Sequence, residues 1–275
     1  MLENNPLKQY FRRPAIYVNL PSDGKYYQAG VVEIPPNREI PVYPMTTLDE
    51  MTIRTPDGLF NGSAVVALIK SCIPSILDPW QLNNIDLDAM LVAIKAASGN
   101  GKMEIGSTCP SCSEETSYDV DLLPILASIQ SVDYTQPLKV HELEIRFRPL
   151  AYHETNANNM NQFKIQKMVV GIDEIEDEDQ KREAMGHAVN QLNELILGVI
   201  AQTIEYIKTP ETVVTDKSFI IDFLNNTDKQ TSTLIKERSV ELREQNEMKP
   251  IAVTCPHCQH QYKQRIVLNV TDFFE

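Results

Sequence analysis

Two Cys-Pro-x-Cys tetrapeptides, Cys109-Pro110-Ser111-Cys112 and Cys255-Pro256-His257-Cys258, constrain this chain more than any other feature, and 142 residues lie between them. Their surroundings align. Ser107-Thr108-Cys109-Pro110-Ser111-Cys112 matches Val253-Thr254-Cys255-Pro256-His257-Cys258, and each copy continues through a polar turn, a tyrosine (Tyr118, Tyr262) and a β-branched stretch. This is a two-copy repeat of strand, knuckle and strand. One Cys-x-x-Cys turn presents two thiolates at the separation a tetrahedral metal needs, and two such turns on hairpins make a zinc ribbon. The expected ligands are Cys109, Cys112, Cys255 and Cys258, and the expected cofactor is a structural Zn2+. Four thiolates leave no open position for water, so the role would not be catalytic.

The usual distance between knuckles is about 15–20 residues. The long separation here leaves two readings. Either the knuckles close one ribbon around a large insertion, or each stands alone. The first is preferred, because a two-thiolate site binds zinc poorly and the knuckles are sequence repeats. The metal would then clamp the two ends of the insertion, at a loop-closure cost that grows only logarithmically with length.

Thiol–disulfide exchange is the rival chemistry, since Cys-Pro-His-Cys also serves strongly oxidising thioredoxin-fold enzymes. Those enzymes open a helix with the motif, and the helix amides lower the thiol pKa. Here the residues after Cys258, Gln259 to Leu268, read as a strand. Nucleic-acid binding is the other alternative for a ribbon. The second knuckle is mildly basic (Lys249, His257, His260, Lys263, Arg265), but the first carries Glu114, Glu115, Asp119 and Asp121. A fused ribbon would be nearly neutral, and the whole chain has a net charge of −13, so a phosphate-binding face is not expected. Cys72 lies on an apolar helical stripe and reads as an inert core thiol.

Composition limits the remaining classes. Hydrophobic residues make up 42% and charged residues 23%, an ordinary globular balance that can bury a core without disulfides. No apolar run approaches the length of a membrane span, and the start lacks the pattern of an export signal, so a cytosolic setting is expected. No nucleophile elbow, phosphate loop, dinucleotide fingerprint or His-Glu-x-x-His is present, and no catalytic residue is assigned.

The expected fold is α+β. Residues 1–45 read as a small β and turn region, with strands at Ala15–Leu20, Val31–Ile34 and Ile40–Tyr43 kept short by seven prolines. Residues 46–101 read as helical, starting at a capping box at Thr47-Leu48-Asp49-Glu50. Residues 102–121 with 249–272 form the split ribbon, and 122–248 a mainly helical insertion. Within the insertion, Leu138–Arg148 suggests a hairpin or long strand, and Tyr152–Val170 a polar helix rich in Asn and Met. The acidic segment Asp173–Glu183 suits a solvated helix N-terminus. From Met185 apolar residues recur at helical spacing through Ile204 and Ile207, the longest helix expected, and Thr209-Pro210 ends it. A short strand at Val213-Val214 and helices over 216–225 and 227–247 follow.

The order of parts also carries a resemblance. Asn19-Leu20-Pro21-Ser22-Asp23-Gly24-Lys25-Tyr26-Tyr27 precedes Val42-Tyr43-Pro44-Met45-Thr46-Thr47-Leu48-Asp49-Glu50. Ser71-Cys72-Ile73-Pro74, Ile85-Asp86-Leu87-Asp88 and the Cys-Pro-x-Cys hairpin follow in turn. This succession, over roughly residues 15–125, resembles the T4-type bacteriophage baseplate family, which includes a baseplate hub protein and a hub-assembly factor. The resemblance implies a non-enzymatic protein of contractile-tail morphogenesis acting in the infected host cytoplasm. Its partners would be other baseplate hub and tail proteins, and it would either stay in the virion or leave after assembly. The family carries over no catalytic residues.

Overall fold

The backbone leaves one compact unit, builds a second, and returns to the first. The computed structural model describes residues 5–173, 175 and 177–266. The first unit takes in the described residues up to Ser131 and those from Met248 onward; the second is Val132–Glu247.

In the first unit, β1 (Ile16–Val18) and β2 (Ile40–Val42) pair antiparallel, with Ile16 opposite Val42. Pro41 cannot donate to a ladder, which keeps the pair short and two-stranded. The third expected strand, Val31–Ile34, is reduced to a single bridge between Val32 and Ile76. Asp23 and Gly24 both take positive φ in the turn after β1. The positive φ of Gly24 favours glycine there, while a Cβ would meet only the terminal methyl of the exposed Ile34 side chain, which can move aside.

Helices α1 (Thr47–Ile53), α2 (Pro56–Phe60), α3 (Ser63–Cys72) and α4 (Asn84–Ser98) follow. The capping box sits one residue earlier than expected, on Thr46 and Asp49 in place of Thr47 and Glu50. The Thr46 hydroxyl accepts from the Asp49 amide, and the Asp49 carboxylate accepts from the Thr46 amide at 2.7 Å. Asp49 wins the position because Arg12 holds it from the other side at 3.1 Å, while Glu50 faces solvent. Helix α3 buries Val65, Leu68, Ile69 and Cys72, and α4 buries Ile85, Leu87 and the whole run Ala89–Ile94. A helix apolar on nearly every side belongs inside a core. Hairpin β3 (Lys102–Thr108) and β4 (Glu115–Asp121), then α5 (Leu122–Ser128), complete the N-terminal part of this unit.

Two buried polar knots hold this unit. Asp86 accepts from the Ser22 amide at 2.9 Å, the Ser22 hydroxyl, the Tyr27 hydroxyl at 2.5 Å and the Asn83 amide group at 3.1 Å. The Tyr27 oxygen in turn accepts from the Asn83 backbone at 3.1 Å. In the second knot, Arg12 donates to the Pro44 carbonyl at 2.6 Å, to Asp49, and to the backbone and hydroxyl of Ser71 at 2.8 Å each.

In the second unit, β5 (Leu138–Val140), β6 (Leu143–Phe147), β7 (Ile204–Lys208) and β8 (Val213–Val214) form an antiparallel sheet in that order. Four helices, α6 (Tyr152–Ile172), α7 (Glu178–Thr203), α8 (Lys217–Asn226) and α9 (Lys229–Gln245), accompany it. The long helix stops at Thr203, and Ile204 and Ile207 belong to a strand. Ile207 pairs with Ile145, Tyr206 with Arg146 and Ile204 with Phe147, so a bulge falls between them. The bulge turns two residues three apart to the same buried side, a spacing that reads as helical in sequence. In the acidic segment, Asp177 caps α7 through the amides of Asp179 and Gln180. Glu174 and Glu176 of that segment lie outside the described residues.

The last hairpin, β9 (Ile251–Thr254) and β10 (Gln261–Gln264), belongs to the first unit. The part of the strand reading at Val267-Leu268, and of the ribbon reading beyond Ile266, lies outside the described residues.

Candidate metal centre

Each cysteine pair occupies the turn of its hairpin, between β3 and β4 or between β9 and β10. The two turns are built alike. The Cys109 amide donates to the Glu114 carbonyl and the Ser113 amide to the Cys109 carbonyl, each at 2.9 Å. The Cys255 amide donates to the His260 carbonyl and the Gln259 amide to the Cys255 carbonyl, also at 2.9 Å. Both turns close on a left-handed residue, Ser113 at φ 60° and Gln259 at φ 61°. Proline after the first cysteine suits this turn, since its missing donor needs no partner.

The structure brings all four sulfurs together, within 4.8 Å of one another. Cys109 lies 3.6 Å from Cys258, and Cys112 lies 3.7 Å from Cys255. The first cysteine of each pair is buried and the second exposed, so each close contact joins an inner sulfur to an outer one of the other hairpin. A tetrahedral Zn2+ with bonds of about 2.3 Å places its sulfurs about 3.8 Å apart. The cluster therefore has the size and donor type of a four-thiolate zinc site. All five cysteines are free thiols.

The electrostatics favour a cation in the centre. Burial opposes ionisation of Cys109. The amides of Cys112 and Ser111 and the nearby sulfurs of Cys258 and Cys112 outweigh it and bring the pKa down to about 6. At Cys112 the Glu114 amide favours the thiolate, but partial loss of solvent and the sulfurs of Cys258, Cys109 and Cys255 push the pKa up to about 12. Four adjacent thiolates repel one another, and a divalent ion removes that repulsion.

Polar side chains join the hairpins beside the cluster. The Ser107 hydroxyl donates to Gln264 Oε1 at 2.5 Å and lies 2.8 Å from the Tyr262 hydroxyl. Tyr118 donates to the Thr254 carbonyl at 3.3 Å and lies 3.4 Å from the Tyr262 hydroxyl. The repeated tyrosines thus meet across the two hairpins. The aligned copies contain Ser107 and both tyrosines, but nothing in the alignment pairs Ser107 with Gln264.

Other residues with ligand chemistry lie elsewhere. His260 stacks on Tyr262, with ring centroids 6.1 Å apart, and His257 is exposed. Among the described residues, the four cysteines are the one group of three or more metal-type ligands within reach of a shared ion. Cys72 is fully buried, 3.6 Å from Arg12. Burial, with the nearby Asp49 charge, pushes its thiol up to about 11, which suits an inert core residue. Neither Cys-Pro-x-Cys pair opens a helix; each sits in the turn of a hairpin, unlike the thioredoxin-type motif.

A family described as T4 bacteriophage base plate protein matches residues 15–275. No curated protein and no solved structure matches the chain. No helix among the described residues is long and apolar enough to cross a membrane.

Proposed function

Because the chain belongs to the T4 bacteriophage base plate protein family, we propose that it is a non-enzymatic component of contractile-tail morphogenesis. It works through protein–protein contacts, as a hub assembly factor or as a hub structural subunit, on a scaffold clamped by metal. Its partners are other baseplate hub and tail proteins, met in the host cytoplasm during assembly. The observation that carries the metal-clamped scaffold is the convergence of four sulfurs from two Cys-Pro-x-Cys turns 142 residues apart.

In this reading Cys109, Cys112, Cys255 and Cys258 hold one structural Zn2+. Magnitudes support the clamp. Closing a flexible loop of 142 residues costs about 4 kcal/mol in its length-dependent part. A structural zinc site is worth about 10–16 kcal/mol at neutral pH. The cost falls further once the second unit folds, because its two ends are already held by the Val132 amide donating to Asn246 Oδ1 at 3.3 Å. Replacing Cys255 and Cys258 by Ser should remove one zinc per chain and lower stability, while Cys72→Ala should leave the zinc in place. Metal analysis of the purified variants checks this, and full zinc in the Cys255/Cys258 variant would refute the shared site.

The two assembly roles separate by mass spectrometry of purified virions beside infected-cell lysate. A fixed copy number in virions marks a hub subunit. Abundance in lysate with absence from virions marks an assembly factor that departs. Failure of tail assembly to depend on the protein at all would overturn the proposal.

A further inference from the structure

The cysteine cluster sets exposed sulfurs against buried ones. Cys109 and Cys255 are 1% and 0% exposed, while Cys112 and Cys258 reach solvent. Each outer sulfur has an inner one of the other hairpin beside it. Cys258 lies 3.6 Å from Cys109, and Cys112 lies 3.7 Å from Cys255. A solvent-accessible cysteine next to a resolving cysteine is the arrangement that oxidants convert to a disulfide. The site holds that arrangement twice, once for each outer sulfur. Cys72, fully buried beside Arg12, takes no part.

More than the sulfurs sets this pairing. Ser107 donates to Gln264 and lies against the Tyr262 hydroxyl, and Tyr118 donates to the Thr254 carbonyl. These bonds join the two hairpins with no metal between them, so they keep inner and outer sulfurs opposite one another when an ion leaves. A disulfide bond is about 2.05 Å long, so each pair has about 1.6 Å to close. Disulfides within Cys109–Cys112 and Cys255–Cys258 would each close a loop around two residues and leave the hairpins untied. The cross pairs preserve the long closure that the metal provides.

We propose that the cluster is a redox-convertible clamp, in which a peroxide replaces the metal by two cross-hairpin disulfides, Cys109–Cys258 and Cys112–Cys255; this builds on the four-thiolate site proposed above. At each pair the outer sulfur attacks one peroxide oxygen. An S–O bond forms, the O–O bond breaks, and the departing hydroxide takes a proton from solvent to become water. The inner thiolate then attacks the resulting sulfenic sulfur. The S–S bond forms, the S–O bond breaks, and a second hydroxide leaves and is protonated. For each disulfide two sulfurs are oxidised and one peroxide is reduced to two waters, while Zn2+ departs with its charge unchanged. The metal form suits the host cytoplasm, where thiols are kept reduced, and the disulfide form suits the oxidising surroundings of a released particle.

Hydrogen peroxide added to the zinc-loaded full chain tests the proposal. Zinc release is followed with a chromogenic chelator, and disulfides are mapped by mass spectrometry after non-reducing digestion. The expected result is loss of the zinc in step with peptides that link the two Cys-Pro-x-Cys turns, with fragment ions assigning Cys109 to Cys258 and Cys112 to Cys255. Cys72→Ala should change neither readout. Amides in 251–264 should stay protected from exchange in the oxidised chain with chelator present, and lose that protection once a thiol reductant is added. Disulfides within either turn, links between chains, sulfinic acid without a disulfide, or no oxidation at all would overturn the conversion and leave the metal site standing. A chain that binds no zinc yet forms both cross links would refute the metal site and uphold the pairing.

Discussion

Asp49 shows how single side chains tie distant parts of the sequence together. Burial alone would raise its pKa. The Thr46 amide, the Ser71 hydroxyl, the Thr46 hydroxyl and the Arg12 charge outweigh burial and hold the carboxyl below its ordinary range. Glu154 behaves alike in the second unit, where Arg148 and the Ala151 amide overcome the cost of burial. A carboxyl with a depressed folded-state pKa adds stability above its unfolded pKa of about 4, and that stability is lost as pH falls through the folded value. Denaturant unfolding at pH 6 and near pH 3 should therefore show a loss that Asp49→Asn partly flattens, from a lower starting stability at pH 6. Tyr27 offers a second test at this scale. Its hydroxyl gives one bond to Asp86 and accepts one from the Asn83 amide, so Tyr27→Phe leaves both partners short in a buried site. The expected cost is about 1.5–3 kcal/mol by chemical denaturation.

At the scale of elements, helix interiors leave room for improvement. Gly198 lies within α7, and a Cβ built there meets no atom within 4 Å. Gly198→Ala should add about 0.5–1 kcal/mol of stability, read as a rise in denaturation midpoint. Elements were legible in the sequence wherever one period ran unbroken. Helix α3 followed the apolar stripe that carries Cys72, α6 followed its polar run, and both cysteine hairpins followed from the repeat. The failures have local causes. Ile204 and Ile207 sit three apart across a bulge, which imitates a helix. The α1 cap moved to Thr46 because Arg12, 37 residues from Asp49, selects which acid closes it. The residues that carried the family resemblance, Ser22, Tyr27, Asp49 and Asp86, form the polar knots of the first unit. Of the candidate site, all four cysteines were readable from spacing. Ser107 and Gln264 were not, because a serine and a glutamine in exposed-looking strands give no signal until the hairpins meet.

At the scale of the whole molecule, the two units rest on different supports. The second has its own sheet and helices between Val132 and Glu247. The hairpin β9–β10 has little apolar surface to bury: Val253 is its one buried strand residue, beside the buried Cys255. Its attachment therefore leans on the cysteine cluster and the bonds around Ser107 and Tyr262. Hydrogen exchange before and after treatment with a strong chelator should show amides in 251–264 losing protection. Those in β6 and β7 should keep theirs. Equal loss in both units would contradict a metal clamp confined to the first.

The order of the hairpins along the chain has a consequence for how the protein is made. The ribosome delivers Cys109 and Cys112 first and must add 142 further residues before Cys255 appears. At about 5–20 residues per second the first knuckle waits roughly 7 to 28 s for its mate. During that interval the second unit is translated and free to fold. A chain interrupted anywhere between the knuckles holds half a ligand set. The four sulfurs can therefore meet only in a chain translated past Cys258.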